Sequence, residues 1–292
     1  MVAKCEKKMT TTQLLYAVAG IVLLAFTIGL GSFINRVFFW IAEGQKLQQP
    51  GYMTPKVTIW ARRTRLIVGR IAMFLRIGRL IIIGKENLNF QGRLLMLPNH
   101  QIEKDAVIVT AVFGTMHFRF LMAINQITRF RAPFAAWLGG IAVHHDRNPS
   151  AAVRTAARAL NAEPDSSLVV FPQGRLIRDN ALRREDFFAG ALMIGRIAAK
   201  ESELPFAVLP VGIYYDRDPK HATLLFKTAR LFGIRWFSDW FNETTFGATV
   251  AFGKPILLST LPKDQGEAME IIFNEIKSLS ELAESETRKR LG

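Results

Sequence analysis

Residues 94–113 read LLMLPNHQIEKDAVIVTAVF, and the change of pattern inside this stretch decides the fold. The run LLMLP is apolar and short, as a buried strand is, whereas the apolar residues after Asp105 continue long enough for two helical turns. A strand that passes through a few polar residues into a helix is the building unit of an α/β domain. His100 and Asp105 stand at the two ends of that polar connection. On one straight helix, side chains five residues apart point about 140° away from each other. The pair can therefore meet only if the chain turns between them, and residues 101–104 supply the turn. A carboxylate that accepts the Nδ1 proton of the ring fixes its tautomer, leaves Nε2 as a base, and stabilises the imidazolium formed when a hydroxyl gives up its proton.

The same alternation extends outward. Short apolar runs at 80–83, 94–97, 141–143, 168–171, 207–213, 224–226 and 249–252 are expected strands. Helices are expected at 105–113, at 149–160 with Asn148 as cap, at 186–199, and from about Gly266 onward. The expected fold class is α/β, a mixed sheet flanked by helices, occupying residues 80–292 as one catalytic domain.

Two segments before it read differently. No charged residue lies between Lys8 and Arg36, and the run TTTQLLYAVAGIVLLAFTIGLGSFIN exceeds the roughly 20 apolar residues that cross a hydrocarbon core. Residues 1–50 are therefore expected to be a membrane anchor, with Phe38, Phe39 and Trp40 at an interface. A cleaved signal peptide is disfavoured because no small-residue cleavage site follows the apolar run. Residues 51–79 open with Thr54-Pro55, a helix-starting pair, and read as a basic amphipathic helix, lying in the headgroup layer or, as the alternative, packed on the domain with a solvated charged face. At the helical period, Arg62, Arg63, Arg65, Arg70, Arg76 and Arg79 share a broad face, opposite Trp60, Ile67, Val68, Ile71, Phe74 and Leu75.

Lysine and arginine number 38 against 24 acidic residues, a net charge of +14 that draws the protein toward anionic partners. Nucleic acid is disfavoured as the partner, because no finger, homeodomain or RNP pattern accompanies the charge and much of it flanks apolar segments. The partner expected instead is membrane lipid, with the arginine cluster on the cytoplasmic side. Cys5 is the one cysteine, so neither a thiolate zinc site nor a cysteine nucleophile inside the domain is expected. No G-x-S-x-G elbow offers a serine for a covalent intermediate. His144, His145 and Asp146 carry metal-ligating groups, but adjacent side chains on a strand point to opposite faces, and no metal is expected.

From about residue 80 to 256 the chain resembles the lysophospholipid and glycerol-phosphate acyltransferase family. The family's first motif, N-H-x4-D, stands here as Asn99-His100 followed by Asp105, and its third, F-P-E-G-T-R, as Phe171-Pro172-Gln173-Gly174-Arg175-Leu176. Gly84-Lys85-Glu86-Asn87-Leu88 precedes the first motif, and Trp137-Leu138-Gly139-Gly140-Ile141 lies in the region of the second. Phe187-Phe188-Ala189-Gly190-Ala191, Val208-Leu209-Pro210-Val211 and Phe252-Gly253-Lys254-Pro255-Ile256 follow in the family's order.

The resemblance implies an O-acyltransferase that moves a fatty acyl group from acyl-CoA or acyl carrier protein to the hydroxyl of a lysophospholipid, above all lysophosphatidic acid. It implies no cofactor beyond that donor. His100 would be the base, Asp105 its partner, and Arg147, Gln173, Gly174, Arg175 and Arg178 the substrate-binding set. Gly174 is suited to positive φ and to close approach of backbone N–H groups to a ligand. Three departures from the family pattern leave the acceptor open: Gln173 replaces glutamate, Leu176 replaces arginine, and His144-His145 stand where the family has Asp-Arg, with Asp146-Arg147 two residues later. A glycolipid, lipid alcohol or carotenoid sugar is the alternative acceptor, and a catalytically silent lipid-binding relative is the alternative from another class.

Overall fold

The computed structural model describes residues 11–49, 51–55, 58–76, 78–113, 116–143, 149–163, 166–179, 181–222, 228 and 245–291. Helices α1 (Thr11–Lys46) and α2 (Ile59–Arg76) lead into an α/β domain. Its strands are β1 (Arg79–Ile83), β2 (Arg93–Pro98), β3 (His117–Ala123), β4 (Gly140–Val143), β5 (Ser166–Val169), β6 (Phe206–Asp216), β7 (Gly247–Phe252) and β8 (Ile256–Leu257). Between and after them lie α3 (Asp105–Phe113), α4 (Ala132–Trp137), α5 (Pro149–Asn161), α6 (Gly190–Lys200) and α7 (Gln265–Leu291).

The described strands form one mixed sheet in the order β1-β7-β6-β2-β5-β3-β4, with β8 added to β6. Only the pairings of β6 with β7 and with β8 are antiparallel among the described strands. At the centre, β2 lies between parallel β6 and β5, and every residue of it is buried. Its side chains alternate between two cores, as a strand's pleat requires. Leu95 and Leu97 pack with α5, α6 and α7, while Leu94 and Met96 pack on the other face with Ile108 and Val112 of α3 and Met73 of α2.

The expected strands and helices sit within a few residues of the observed ones, with instructive exceptions. The run 117–123 was not expected to be a strand, because Arg119 interrupts its apolar pattern. Arg119 is nonetheless buried, its guanidinium donating to the Thr54 carbonyl at 2.9 Å and hydroxyl at 2.8 Å, so a tertiary partner overrides the local pattern. That contact also removes Thr54 from capping α2. Thr58 starts the helix instead, accepting the Ala61 N–H at 3.3 Å through its hydroxyl and the Arg62 N–H at 2.9 Å through its carbonyl. Helix α6 starts at Gly190 rather than 186, because residues 184–186 form a tight 3₁₀ turn. The expected strand at 224–226 and the expected cap Asn148 lie outside the described residues.

Helix α1 runs ten residues beyond Arg36. Its part from Ile21 to Lys46 is long and apolar enough to cross a membrane, by length and composition, and its apolar side chains stand exposed. The last turns dock on the domain. A Cβ at Gly44 would stand 2.5 Å from the Ala132 carbonyl carbon, so only glycine allows α1 to approach α4 this closely. Beside it, the buried Glu43 carboxylate accepts from the Tyr52 hydroxyl and from Lys46 Nζ at 2.7 Å. Burial, with Glu43 adding to it, pushes the Tyr52 phenol up to about 12. The boundary expected at residue 50 therefore falls inside a packed junction: Leu47 is buried with Ile127, Ala135 and Ala142.

Helix α2 corrects the expected division of its faces. Arg65, placed by sequence among the headgroup-facing arginines, is fully buried, donating to the Leu138 carbonyl at 3.0 Å and the Phe118 carbonyl at 3.4 Å. Burial pushes its guanidinium below its ordinary pKa, with the nearby charges of Arg119 and Arg62 adding to the effect. Arg79 belongs to β1 and not to the helix. Small residues permit this packing: Ala61 and Gly69 turn inward with Met73, and α2 lies against α3. The outward surface is mixed, with Ile67 (57% exposed), Val68 and Ile71 (54% exposed) among the exposed Arg63 and Arg70. Such a surface suits a headgroup layer, apolar groups entering and guanidinium groups meeting phosphate. Replacing Ile67 or Ile71 by Asp should weaken binding of the full chain to anionic vesicles by roughly five- to tenfold, from the lost apolar transfer energy, with thermal unfolding little changed. Vesicle flotation measures this; unchanged binding in both variants would mean that α2 faces water.

Candidate active site

The site lies at the carboxyl ends of the adjacent parallel strands β6, β2 and β5, where open α/β sheets bind ligands. The chain leaves β2 at Pro98, and Asn99 turns into the sheet, fully buried. Its amide makes both hydrogen bonds of one backbone residue of β6: Asn99 Nδ2 donates to the Ile213 carbonyl at 3.0 Å, and the Ile213 N–H donates to Asn99 Oδ1 at 2.6 Å. Gln101 Nε2 also donates to that carbonyl. The first motif is thus clamped to the neighbouring strand on both sides of His100.

Between these clamps the His100 ring projects to the surface, 21% exposed. It stacks on Phe171, which follows β5, with centroids 4.0 Å apart and planes 22° from parallel. Its Nδ1 lies 2.7 Å from Asp105 Oδ2, which commits that nitrogen to the carboxylate and leaves Nε2 outside the contact. Asp105 has no exposed surface. Its Oδ2 also accepts the N–H groups of Gln101 at 2.8 Å and Ile102 at 3.2 Å, and its Oδ1 accepts the Tyr215 hydroxyl from β6. The expected turn at 101–104 is therefore present and is organised by Asp105 itself, which both opens α3 and partners the histidine.

The remaining expected site residues divide. Gln173 is fully buried, and its Oε1 accepts the His100 N–H at 2.5 Å, so it positions the histidine backbone instead of lining a substrate surface. The side-chain carbonyl does what a carboxylate oxygen would do there, while Gln173 Nε2 is buried with no hydrogen-bond partner among the described residues. Gly174 has φ 62°, as expected of a turn glycine, but its own N–H is used in the turn, donating to Phe171 at 3.0 Å. Arg175 stands largely exposed and pairs with the buried Asp186. Arg178 lies exposed one residue beyond Ile177, whose N–H donates to the His100 carbonyl at 2.8 Å, so it borders the histidine. Arg147, with His144, His145 and Asp146, lies outside the described residues. Tyr215 and Arg217 were missed by sequence reasoning. Arg217 donates to the Arg178 carbonyl at 3.0 Å, which brings a further guanidinium to the same rim. The signal available for Tyr215 was its place two residues beyond Ile213 on a strand that must flank β2.

Residues 79–214 match the family model described as Acyltransferase. They form an acyltransferase-family domain. The 1-acyl-sn-glycerophosphate (LPA) acyltransferase PlsC from Thermotoga maritima has a similar structure, with 17% sequence identity, a TM-score of 0.53, and 75% of this chain and 78% of that chain covered. At that identity the likeness is one of fold. No curated protein matches the sequence. The mixed sheet, its flanking helices and the preceding apolar helix agree with that structure's acyltransferase fold. Within this domain the Asn99 clamp holds the turn that carries His100. Asn99→Ala should lower unfolding free energy by about 1–3 kcal/mol, because it leaves the buried Ile213 N–H without its partner and the Ile213 carbonyl with Gln101 alone. Chemical denaturation of the detergent-solubilised chain measures it, and a cost below about 0.5 kcal/mol would show that the clamp is dispensable.

Proposed function

We propose that the chain transfers a fatty acyl group from acyl-CoA or acyl carrier protein to the hydroxyl of a lysophospholipid, with lysophosphatidic acid the preferred acceptor, as a step of phospholipid synthesis at a membrane surface. The carrying observation is the 2.7 Å contact between His100 Nδ1 and the fully buried Asp105 carboxylate. His100 Nε2 takes the acceptor's hydroxyl proton as the oxygen attacks the thioester carbonyl. The tetrahedral intermediate then expels the thiolate, the carbon–sulfur bond breaks, and the imidazolium returns the proton to sulfur. The products are an ester and a free thiol. A thioester is already activated, so positioning, one base and stabilisation of the oxyanion suffice, without a covalent acyl-enzyme or a cofactor. The family domain supports acyl transfer, and the name of the Thermotoga maritima protein motivates the choice of acceptor. The apolar α1 and the mixed outer surface of α2 support a membrane location, with the arginine-rich domain on the cytoplasmic face.

His100→Ala should lower acyl transfer by roughly 10²- to 10⁴-fold with KM little changed, the range for loss of a general base. Asp105→Asn keeps the volume but holds the imidazolium less well and should also lower turnover. The double variant should cost little more than His100→Ala, since the two groups act as a unit. Thioester-dependent acylation of lysophosphatidic acid is the assay. A well-folded His100→Ala protein with near-normal turnover would remove the proposed base.

A second acceptor class is favoured by one observation. Arg175 is engaged by Asp186, and Leu176 stands where the family places arginine, which leaves fewer cations for a phosphate in the third motif. If the acceptor carries a phosphate, Arg178→Ala and Arg147→Ala should each raise its KM by about tenfold, the loss of one charge-assisted contact. Dephosphorylated acceptors should be indifferent. Equal use of phosphorylated and dephosphorylated lysolipids, unchanged in both variants, would transfer the proposal to a glycolipid or lipid alcohol.

A further inference from the structure

The Asp105 carboxylate is bonded from two directions, and only one of them belongs to the histidine. Oδ2 faces His100 Nδ1 and the N–H groups of Gln101 and Ile102, while Oδ1 accepts the hydroxyl of Tyr215, a side chain 2% exposed and 110 residues away in sequence. We infer that Tyr215 is a positioning residue for the acyl transfer, its hydroxyl orienting the Asp105 carboxylate and sharing its negative charge, and thereby acting on His100. The inference rests on the reading of His100 as the base. Tyr215 also lies one residue beyond the segment 79–214 that matches the family model.

The geometry gives the phenol two effects. It occupies Oδ1, so a proton arriving there would have to displace a hydrogen bond on a carboxylate with no exposed surface. It also draws part of the negative charge to Oδ1, away from the oxygen that faces the ring. With the phenol in place the imidazolium is held firmly enough to form, yet weakly enough to return its proton to the leaving thiolate. Among the described residues, the charged groups around the dyad are Lys104, buried on the same turn with its Nζ donating to Thr245 at 3.3 Å, the exposed Glu103 of that turn, and the exposed Arg178 and Arg217 of the rim. Strand β6 acts on the turn twice, since the Ile213 backbone holds Asn99 and Gln101 while Tyr215, two residues on, holds Asp105.

Tyr215→Phe removes one oxygen and leaves the packing of the ring. In the full chain in detergent it should lower kcat about tenfold with KM for donor and acceptor within about twofold, and move the acidic limb of the pH–kcat profile upward by roughly half a pH unit, because undivided negative charge then faces the ring. In an Asp105→Asn background the same change should cost less than about twofold, since the phenol acts through the carboxylate. A folded Tyr215→Phe protein with unchanged kcat and limb would overturn the inference, and so would an equal loss in both backgrounds, which marks a merely structural side chain. Should Tyr215→Phe fail to fold, 3-fluorotyrosine at position 215 keeps ring and hydroxyl while strengthening the donor. It should move the limb to lower pH, and an unmoved limb overturns the inference. His100→Ala, measured alongside, separates the cases: near-normal turnover there removes the base itself, whereas its loss together with an unaffected Tyr215→Phe removes only the role of Tyr215.

Discussion

A carboxylate with no access to solvent is stable only when its oxygens are supplied with hydrogen-bond donors, and the Asp105 carboxylate is the point on which the arrangement around His100 depends. Its donors come from three levels of structure. Two are backbone N–H groups of its own turn, one is the ring of His100, and one is the hydroxyl of Tyr215 on another strand. The same contacts that satisfy a buried charge therefore fix the ring's tautomer and direction. Asp105 thus both organises the turn before α3 and partners His100, because a single oxygen does both.

This arrangement constrains the sheet. Tyr215 can reach Asp105 only if β6 lies directly beside β2, and the observed order has the two strands paired in parallel over six residues, from Arg93 opposite Phe206 to Pro98 opposite Val211. Asn99 continues the coupling past the last ladder pair by completing both hydrogen bonds of Ile213. On the other side, β5 delivers Phe171 beneath the ring and Gln173 beneath the His100 backbone. His100 is thus held by two neighbouring strands through stacking, amide and backbone contacts, and only one ring nitrogen is left for chemistry.

The two N-terminal helices join the domain by packing as well as by chain continuity. Gly44 lets α1 lie against the backbone at the start of α4, and Arg65 of α2 reaches the carbonyl just after α4 ends. The segment from Ala132 to Leu138 therefore contacts both. Its preceding turn touches the catalytic turn, where Arg131 lies 3.4 Å from Glu103. The helices that present apolar surface are in this way tied to the turn that carries His100, so the height of the site above a bilayer would be set by side-chain packing instead of a loose linker.

Local pattern alone determined much of this protein. The alternation of short apolar runs with helical stretches marked the α/β class and most described strands, and the uncharged run before Arg36 marked α1, because both signals depend only on which residues avoid water. The pair His100 and Asp105 was legible because its N-H-x4-D pattern resembles the family's first motif and is followed by the others in order, while its spacing asks only for the turn that a strand-to-helix junction supplies. What the sequence could not decide were contacts whose partners are far apart in the chain. The burial of Arg65 and Arg119, which broke the expected helix face and hid a strand, follows from carbonyl groups offered by other elements. Gln173 shifted from substrate surface to backbone support, and Tyr215 entered the site, because strand order sets side chains from residues 173 and 215 around residue 100. Hydrophobic periodicity states which face of a strand is buried; only the order of strands in the sheet states which polar groups meet there, and in this domain that order assembles the surroundings of His100.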